Sequence, residues 1–325
     1  MEYTTLGSTG MTVSKICLGC MSFGDPDWRE WVLDEEAGRE LIDRAIELGV
    51  TFFDTANMYS NGASEQVLGD ALAEYDRDEF TVATKAYFQM DESNPNSGGL
   101  SRKAIDQELA NSLDRLGMDT IDLYQIHRWD YDTPIDETLA ALDDAVRRGD
   151  IRYPGASSMW AHQFAEALHV SDREGYERFA TMQNHYNLAY REEEREMLPL
   201  CDRENVGVMP WSPLARGYLT RPHEDVDATL RGETEEHLYE HPYREGGGPA
   251  VNERVAELAD EKGVKMAQIG LAWLFCKDRV DTPIVGTTSV EHLEDAVEAL
   301  DIDLSSSDID WLEEPYEPVR VSGHE

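Results

Sequence analysis

Short apolar runs alternate with amphipathic helical patterns along most of this sequence, and this alternation constrains the fold more than any other feature. Runs such as KICLG, TFFDT and EFTVATK each precede a segment with apolar residues at helical spacing, for example Leu41, Ala45 and Leu48. Eight strand-helix units can be counted, the last being TPIVGTT with VEHLEDAVEAL. This pattern predicts a parallel sheet covered by helices, closed into a (β/α)₈ TIM barrel that forms a single domain over residues 1–325. An open doubly wound sheet is the alternative, but no G-x-G-x-x-G motif follows the first predicted strand.

Two long segments interrupt this alternation. Residues 86–100 and 211–251 are rich in glycine, proline and aromatic residues, and each follows a predicted strand. In a barrel such βα loops lie on the C-terminal face, where active sites are found. We therefore expect both loops to form walls of a substrate pocket.

The composition restricts the partners and the environment. The formal net charge is −39, and of 28 basic residues 22 are arginine and only 6 are lysine. An acidic, lysine-poor surface predicts a halophilic source, because concentrated salt screens the self-repulsion of such a surface. The same charge disfavours nucleic acid and anionic membranes as partners. No apolar stretch of membrane-spanning length and no N-terminal signal pattern is present, so we expect a cytoplasmic protein. Its oligomeric state is left open.

The cysteines and histidines do not suggest a metal site. The four cysteines, Cys17, Cys20, Cys201 and Cys276, are too few and too scattered for a disulfide framework. The isolated C-x-x-C has no second pair to complete a zinc site, and no histidine pair has the spacing of a zinc motif. We therefore predict that the protein holds no metal.

Polar residues at the ends of three successive predicted strands are the candidate catalytic residues. Asp54 and Tyr59 follow the second strand, Lys85 ends the third, and His127 ends the fourth. Charged side chains are rarely buried without partners, so we expect these four to interact. Asp54 would keep Lys85 charged, and a cation close to the Tyr59 phenol would help it release a proton. Tyr59 and His127 would then face a carbonyl oxygen that becomes negative during reduction.

With these residues in place, the sequence resembles the aldo-keto reductase family from LGCMSFG to VEHLEDAV. The family pattern is present as Asp54, Thr55, Ala56, Tyr59, Gly62, Ser64, Glu65 and Gly69, and Lys85 and His127 match its catalytic lysine and histidine. The resemblance implies NAD(P)H-dependent reduction of aldehydes or ketones to alcohols, with Tyr59 as the general acid and a small carbonyl compound as substrate. GASE, residues 62–65, is expected to cap the following helix.

The resemblance also implies where a nicotinamide dinucleotide would bind. Ser157, Ser158 and Gln183 match the residues around the carboxamide, although many family members have asparagine at the position of Ser158. Trp211 is expected to stack on the nicotinamide. The remaining expected contacts are Met21, Asp54, Ser212, Leu214, Gly217, Gly286, Thr288 and His292.

The sequence leaves open both the choice between NADPH and NADH and the activity itself. The family favours NADPH, but no arginine or lysine for a 2′-phosphate is evident beside Thr288, so NADH is possible. One alternative function is a cofactor-binding regulatory subunit with little turnover. Another is a Schiff-base lyase that uses Lys85, although a neighbouring Asp54 would keep that amine charged and unreactive.

Overall fold

The computed structural model describes residues 1–228 and 242–324. Within these residues eight parallel strands form one sheet, and each lies in an apolar run predicted to be a strand. They follow a short N-terminal hairpin of β1 (Tyr3–Thr5) and β2 (Thr12–Ser14). The eight are β3 (Cys17–Gly19), β4 (Phe52–Asp54), β5 (Thr81–Ala86), β6 (Ile121–Ile126), β7 (Ile151–Ser157), β8 (Thr181–Gln183), β9 (Gly207–Val208) and β10 (Ile284–Gly286).

The sheet order is β10-β3-β4-β5-β6-β7-β8-β9, and every neighbouring pair is parallel. Its two ends are joined by backbone hydrogen bonds, because Ile284 N–H donates to Pro210 O at 2.9 Å and Asp281 N–H donates to Val208 O at 3.0 Å. The predicted (β/α)₈ barrel is therefore confirmed.

Helices follow the strands as the sequence pattern predicts. The described helices are α1 (Glu35–Glu47), α2 (Ala63–Leu72), α3 (Arg102–Leu116), α4 (Ile135–Arg148), α5 (Ala161–Glu174), α6 (Met197–Glu204), α7 (Gly248–Lys262), α8 (Met266–Phe275), α9 (Val290–Glu298) and α10 (Ser306–Glu313). No helix in the described part of the chain is both long and apolar enough to cross a membrane.

The N-terminal hairpin was not predicted from the sequence. Its two strands have three residues each and expose part of their surface, so they contain no apolar run. Leu6 and Val13 nevertheless pack with Phe52, Ala83 and Leu123 in a core cluster of the strands. The hairpin therefore supplies apolar side chains to the barrel interior, while a larger cluster lies between the strands and the helices.

GASE begins at the N-cap of α2, as expected, but it provides no capping side chain. The N-cap residue is Gly62, with φ 96°, and no side chain makes a capping hydrogen bond there. Ser64 instead donates to the carbonyl oxygen of Cys20 at 2.7 Å, and Glu65 is buried, where it accepts hydrogen bonds from Thr84 and Arg115. These two side chains therefore bind neighbouring elements of the barrel instead of the free N–H groups at the start of α2.

Candidate active site

The C-terminal ends of β4, β5 and β6 bring the four predicted catalytic residues together. Parallel strands end on the same side of a barrel, so Asp54, Lys85 and His127 converge there. Tyr59 lies in the loop after β4, where Ser60 and Asn61 have positive φ values of 48° and 52°. Side chains rarely adopt that backbone conformation, so the surrounding structure holds this loop in place at some cost in free energy.

Lys85 is completely buried, and its ammonium group has three partners. Nζ donates to Asp54 Oδ2 at 2.7 Å, to Thr55 O at 2.7 Å and to Tyr59 OH at 3.3 Å. Burial alone would lower the pKa of Lys85, but the Asp54 carboxylate and the Tyr59 phenol outweigh it and raise that pKa above its usual value. The amine is therefore charged and fully engaged, which argues against the Schiff-base lyase.

Asp54 is held by donors on both carboxylate oxygens. Oδ2 faces Lys85, while Oδ1 accepts from Gln125 Nε2 at 3.0 Å and from Gln183 Nε2 at 2.9 Å. The carboxylate is thus fixed in orientation as well as paired in charge. Gln125, which lies on β6 one layer below His127, was not identified from the sequence.

His127 lies beside Tyr59 with its ring edge-on to the phenol, at a centroid distance of 5.8 Å. Burial lowers the pKa of His127 well below its usual value, and the nearby Lys85 and Arg128 cations lower it further. The imidazole is consequently neutral near pH 7. Within the described part of the chain, its buried Nδ1 has no hydrogen-bond partner.

A cavity of about 1550 Å³ opens above these residues. Asp54, Tyr59 and His127 line it, whereas Lys85 lies behind Tyr59 and does not. Every residue predicted to contact the cofactor lines the same cavity except Ser158. Those that do are Met21, Asp54, Ser157, Gln183, Trp211, Ser212, Leu214, Gly217, Gly286, Thr288 and His292.

Ser158 does not line the cavity, and its contact with a cofactor stays a prediction. It follows β7 with φ 49°, and its Oγ accepts a hydrogen bond from Trp211 Nε1 at 2.9 Å. Its hydroxyl is also 3.1 Å from that of Ser157. Ser158 therefore orients Trp211, whereas Ser157 borders the cavity itself.

Trp211 belongs to a stack of three rings. His185 lies parallel to the indole at a centroid distance of 4.1 Å, and Tyr190 covers the other face of His185 at 4.0 Å. His185 is further fixed by a hydrogen bond of 2.7 Å between its Nε2 and the Tyr243 hydroxyl. One face of the indole is thus covered, and Trp211 also borders the cavity.

The far end of the cavity carries a lysine that sequence reasoning missed. Lys265, at the start of α8, lines the cavity with Thr288 and His292, and it pairs with Glu291 at 2.6 Å and Asp295 at 2.8 Å. Only folding brings Lys265 to this place, because it precedes Thr288 by more than twenty residues in the chain. The Lys265 ammonium therefore lies at this end of the cavity, but it already forms ion pairs with two carboxylates.

The two long loops contribute unequally to the walls. Phe88 is the residue of loop 86–100 that lines the cavity, whereas the described start of the second loop, from Trp211 to Val226, lines it extensively. The rest of that predicted wall includes residues 229–241, which lie outside the described residues. Walls not predicted from the sequence are formed by residues 29–33, Arg128 and residues 320–324.

Four other tryptophans have different surroundings. Trp31 and Trp160 line the cavity, whereas Trp129 packs on the core beneath the loops and Trp28 contacts Arg29. No group of three or more potential metal ligands occurs among the described residues.

Comparison with known proteins agrees with the resemblance seen in the sequence. The profile of the Aldo/keto reductase family matches residues 15–317. Aldo-keto reductase dtxS3 of Metarhizium robertsii is 41% identical, with 100% of this chain and 93% of the relative covered. Versiconal hemiacetal acetate reductase of Aspergillus parasiticus is also 41% identical, with 99% and 98% covered. A putative aryl-alcohol dehydrogenase of Schizosaccharomyces pombe is 41% identical, with 99% and 97% covered.

Proposed function

Because this chain belongs to the aldo/keto reductase family, and is an oxidoreductase acting on carbonyl compounds, we propose that it reduces aldehydes or ketones to alcohols with Tyr59 as the proton donor. The observation that carries this proposal is the contact between the charged Lys85 ammonium and the Tyr59 hydroxyl, at 3.3 Å. A fixed cation stabilises the phenolate that remains after the proton has been transferred.

The state of His127 supports Tyr59 as the acid. Both side chains line the cavity and could reach the same carbonyl oxygen. Burial keeps the pKa of His127 well below its usual value, so its neutral ring is a poor acid near pH 7 but can donate one hydrogen bond. We therefore assign His127 to orienting and polarising the carbonyl, and Tyr59 to protonating it.

The cavity residues fit a nicotinamide dinucleotide. Trp211 offers a flat surface, and His185 stacks on its other face. The amide nitrogen of Gln183 donates to Asp54, so its carbonyl oxygen can accept a hydrogen bond from a carboxamide. The dinucleotide supplies hydride to the carbonyl carbon when it is bound. Leu214, Gly217 and Gly286 would border its remaining length.

NADPH is the expected form of the cofactor, because it is the form that the family favours. At the far end of the cavity Lys265 is the candidate cation for a 2′-phosphate, but Glu291 and Asp295 already neutralise it. NADH is therefore measured beside NADPH in each experiment.

The experiment follows NADPH and NADH oxidation with a panel of aldehydes and ketones in molar KCl, for wild type and Tyr59→Phe. Removal of a general acid lowers kcat by about 10²- to 10⁴-fold. Tyr124→Phe is the matched control, since Tyr124 is buried on β6 and its hydroxyl has no partner among the described residues. We expect that control to retain wild-type rates and Tyr59→Phe to bind cofactor but lose turnover.

Two other results would count against the proposal. Equal rates for Tyr59→Phe and wild type would remove Tyr59 from the reaction. Cofactor binding by wild type, without turnover of any carbonyl compound, would favour the cofactor-binding regulatory protein considered from the sequence.

A further inference from the structure

Arg128 lacks a carboxylate partner among the described residues, a feature that it shares with Arg221. Most arginines in the described residues form an ion pair within 4.0 Å, as Arg115 does with the buried Glu65. Arg128 instead donates one hydrogen bond from Nη1 to the backbone oxygen of His127, at 2.7 Å, and no carboxylate of the described residues pairs with it. This is unusual in a chain with 67 acidic and 28 basic residues.

The position of Arg128 places its charge beside the reacting groups. It directly follows His127 at the end of β6 and lines the same cavity as Tyr59. Its guanidinium lies over Phe88 at 5.8 Å from the ring centroid, and Phe88 contacts His127 edge-on at 4.9 Å. A carbonyl held by Tyr59 and His127 would therefore have its substituents within reach of this cation.

The surroundings make the cation effective for binding. Burial lowers the pKa of Arg128, the nearby Tyr59 phenol partly offsets this, and Arg216 lowers it further, so the guanidinium is partly desolvated and lies near a like charge. An arginine remains protonated under such conditions. A partly desolvated guanidinium without a counter-charge binds an incoming carboxylate strongly, because the ligand supplies the missing charge and two matched acceptors.

We propose that Arg128 recognises a carboxylate on the substrate, so that the preferred substrates of this enzyme are aldehydes or ketones that carry an acidic group. Phe88 lies against the Arg128 guanidinium, and Trp31 and Trp160 line the same cavity, so its walls suit a flat or aromatic carbon frame. This inference rests on the proposed reductase function and names its substrate class.

The test compares 3- and 4-carboxybenzaldehyde with their methyl esters, which have similar shape without charge. The measured quantity is the ratio of kcat/KM for the acid to kcat/KM for the ester, at saturating cofactor and in molar KCl. Because a hydrogen bond to a charged group contributes about 1.5–3 kcal/mol, Arg128→Gln should lower this ratio about 10- to 100-fold. Arg128→Lys should retain part of it, because it keeps the charge but not the two-pronged geometry.

A matched control comes from Arg221, which also lines the cavity without a carboxylate partner among the described residues and whose Nε donates to the Thr220 hydroxyl. Arg221→Gln should leave the acid-to-ester ratio at its wild-type value. A ratio unchanged by Arg128→Gln, or lowered equally by Arg221→Gln, would overturn the inference. The ratio cancels any general effect of Arg128 on His127, because both substrates depend on the same catalytic groups.

An equilibrium measurement separates this inference from the reductase proposal. Benzoate and benzamide are titrated against the cofactor-saturated protein, with tryptophan fluorescence as the readout, since Trp31, Trp160 and Trp211 line the cavity. A preference for benzoate that disappears in Arg128→Gln supports the anion site even if no carbonyl compound is turned over. Equal binding of the two ligands by wild type would overturn the anion site, whatever the outcome of the activity assays.

Discussion

The buried pair of Lys85 and Asp54 makes a quantitative prediction about stability. Nζ and Oδ2 are 2.7 Å apart, and the two side chains are 0% and 3% exposed. We expect Asp54→Asn to lower the free energy of unfolding by about 3–5 kcal/mol, the usual effect of removing one partner from a buried ion pair.

The magnitude follows from the contacts of the carboxylate. At 2.7 Å the attraction between two unit charges is roughly 6 kcal/mol for an effective dielectric constant of about 20, and desolvation of the aspartate offsets part of it. Asparagine has the same shape but only one acceptor oxygen. In one orientation its NH₂ group faces the Lys85 ammonium, and in the other it faces the amides of Gln125 and Gln183. In both orientations N–H donors face each other without an acceptor, and the Lys85 ammonium loses its counter-charge.

The assay is urea unfolding in molar KCl of wild type, Asp54→Asn, Lys85→Met and the double variant. Each single variant leaves one buried charge, whereas the double variant leaves none, so its loss should be smaller than the sum of the single losses by about 2 kcal/mol or more. Asp144→Asn is the control for an exposed pair, because Asp144 and Arg102 are 47% and 43% exposed. Its effect should stay below about 1 kcal/mol.

Additive effects of the two single variants would refute this reasoning. A loss for Asp54→Asn as small as that for Asp144→Asn would do the same. Either result would mean that the Lys85 ammonium is not a desolvated charge held by Asp54.

Two further predictions concern His127 and Ser158. Because the pKa of His127 is depressed in the folded state, the unfolded chain binds more protons below about pH 6.5, and stability falls as the pH falls. Between about pH 7.5 and pH 5.5, wild type should lose roughly 1.4 kcal/mol more than His127→Asn by urea unfolding, and a pH-independent difference would contradict this. Ser158→Ala removes the acceptor for the Trp211 indole N–H, so cofactor affinity measured by fluorescence quenching should fall about 5- to 10-fold, and unchanged affinity would exclude the orienting role.

The sequence was sufficient to predict the barrel because the information is local and repeated. Each of the eight strands is a short apolar run followed by a helical pattern, and the four predicted catalytic residues lie next to such runs. The rule that parallel strands end on one face then brings Asp54, Lys85 and His127 together without any knowledge of side-chain positions. The N-terminal hairpin had no such signal, because its short, partly exposed strands depend on contacts with Phe52 and Leu123 far along the chain.

The contacts that could not be predicted depend on backbone conformation and on distant segments. Ser158 reaches Trp211 because its φ is positive, which nothing in GASS indicates. His324 packs edge-on against Trp160 and bonds to Glu193 at 2.9 Å, more than 130 residues away in the chain. Such pairings are decided by the packing of loops, for which the sequence contains no periodic pattern.

Charge composition and structure together carry more information about specificity than either alone. In a chain with a net charge of −39, carboxylates are available almost everywhere, so an arginine that lacks one reflects the shape of its surroundings. Lys85 is buried but paired with Asp54, and its charge is therefore used within the protein. Arg128 is one residue from His127, borders the cavity and is unpaired within the described residues, so its charge is directed outward to a ligand. The excess of acidic groups thus makes the unpaired cation beside the catalytic residues informative about the substrate, which the catalytic residues alone do not specify.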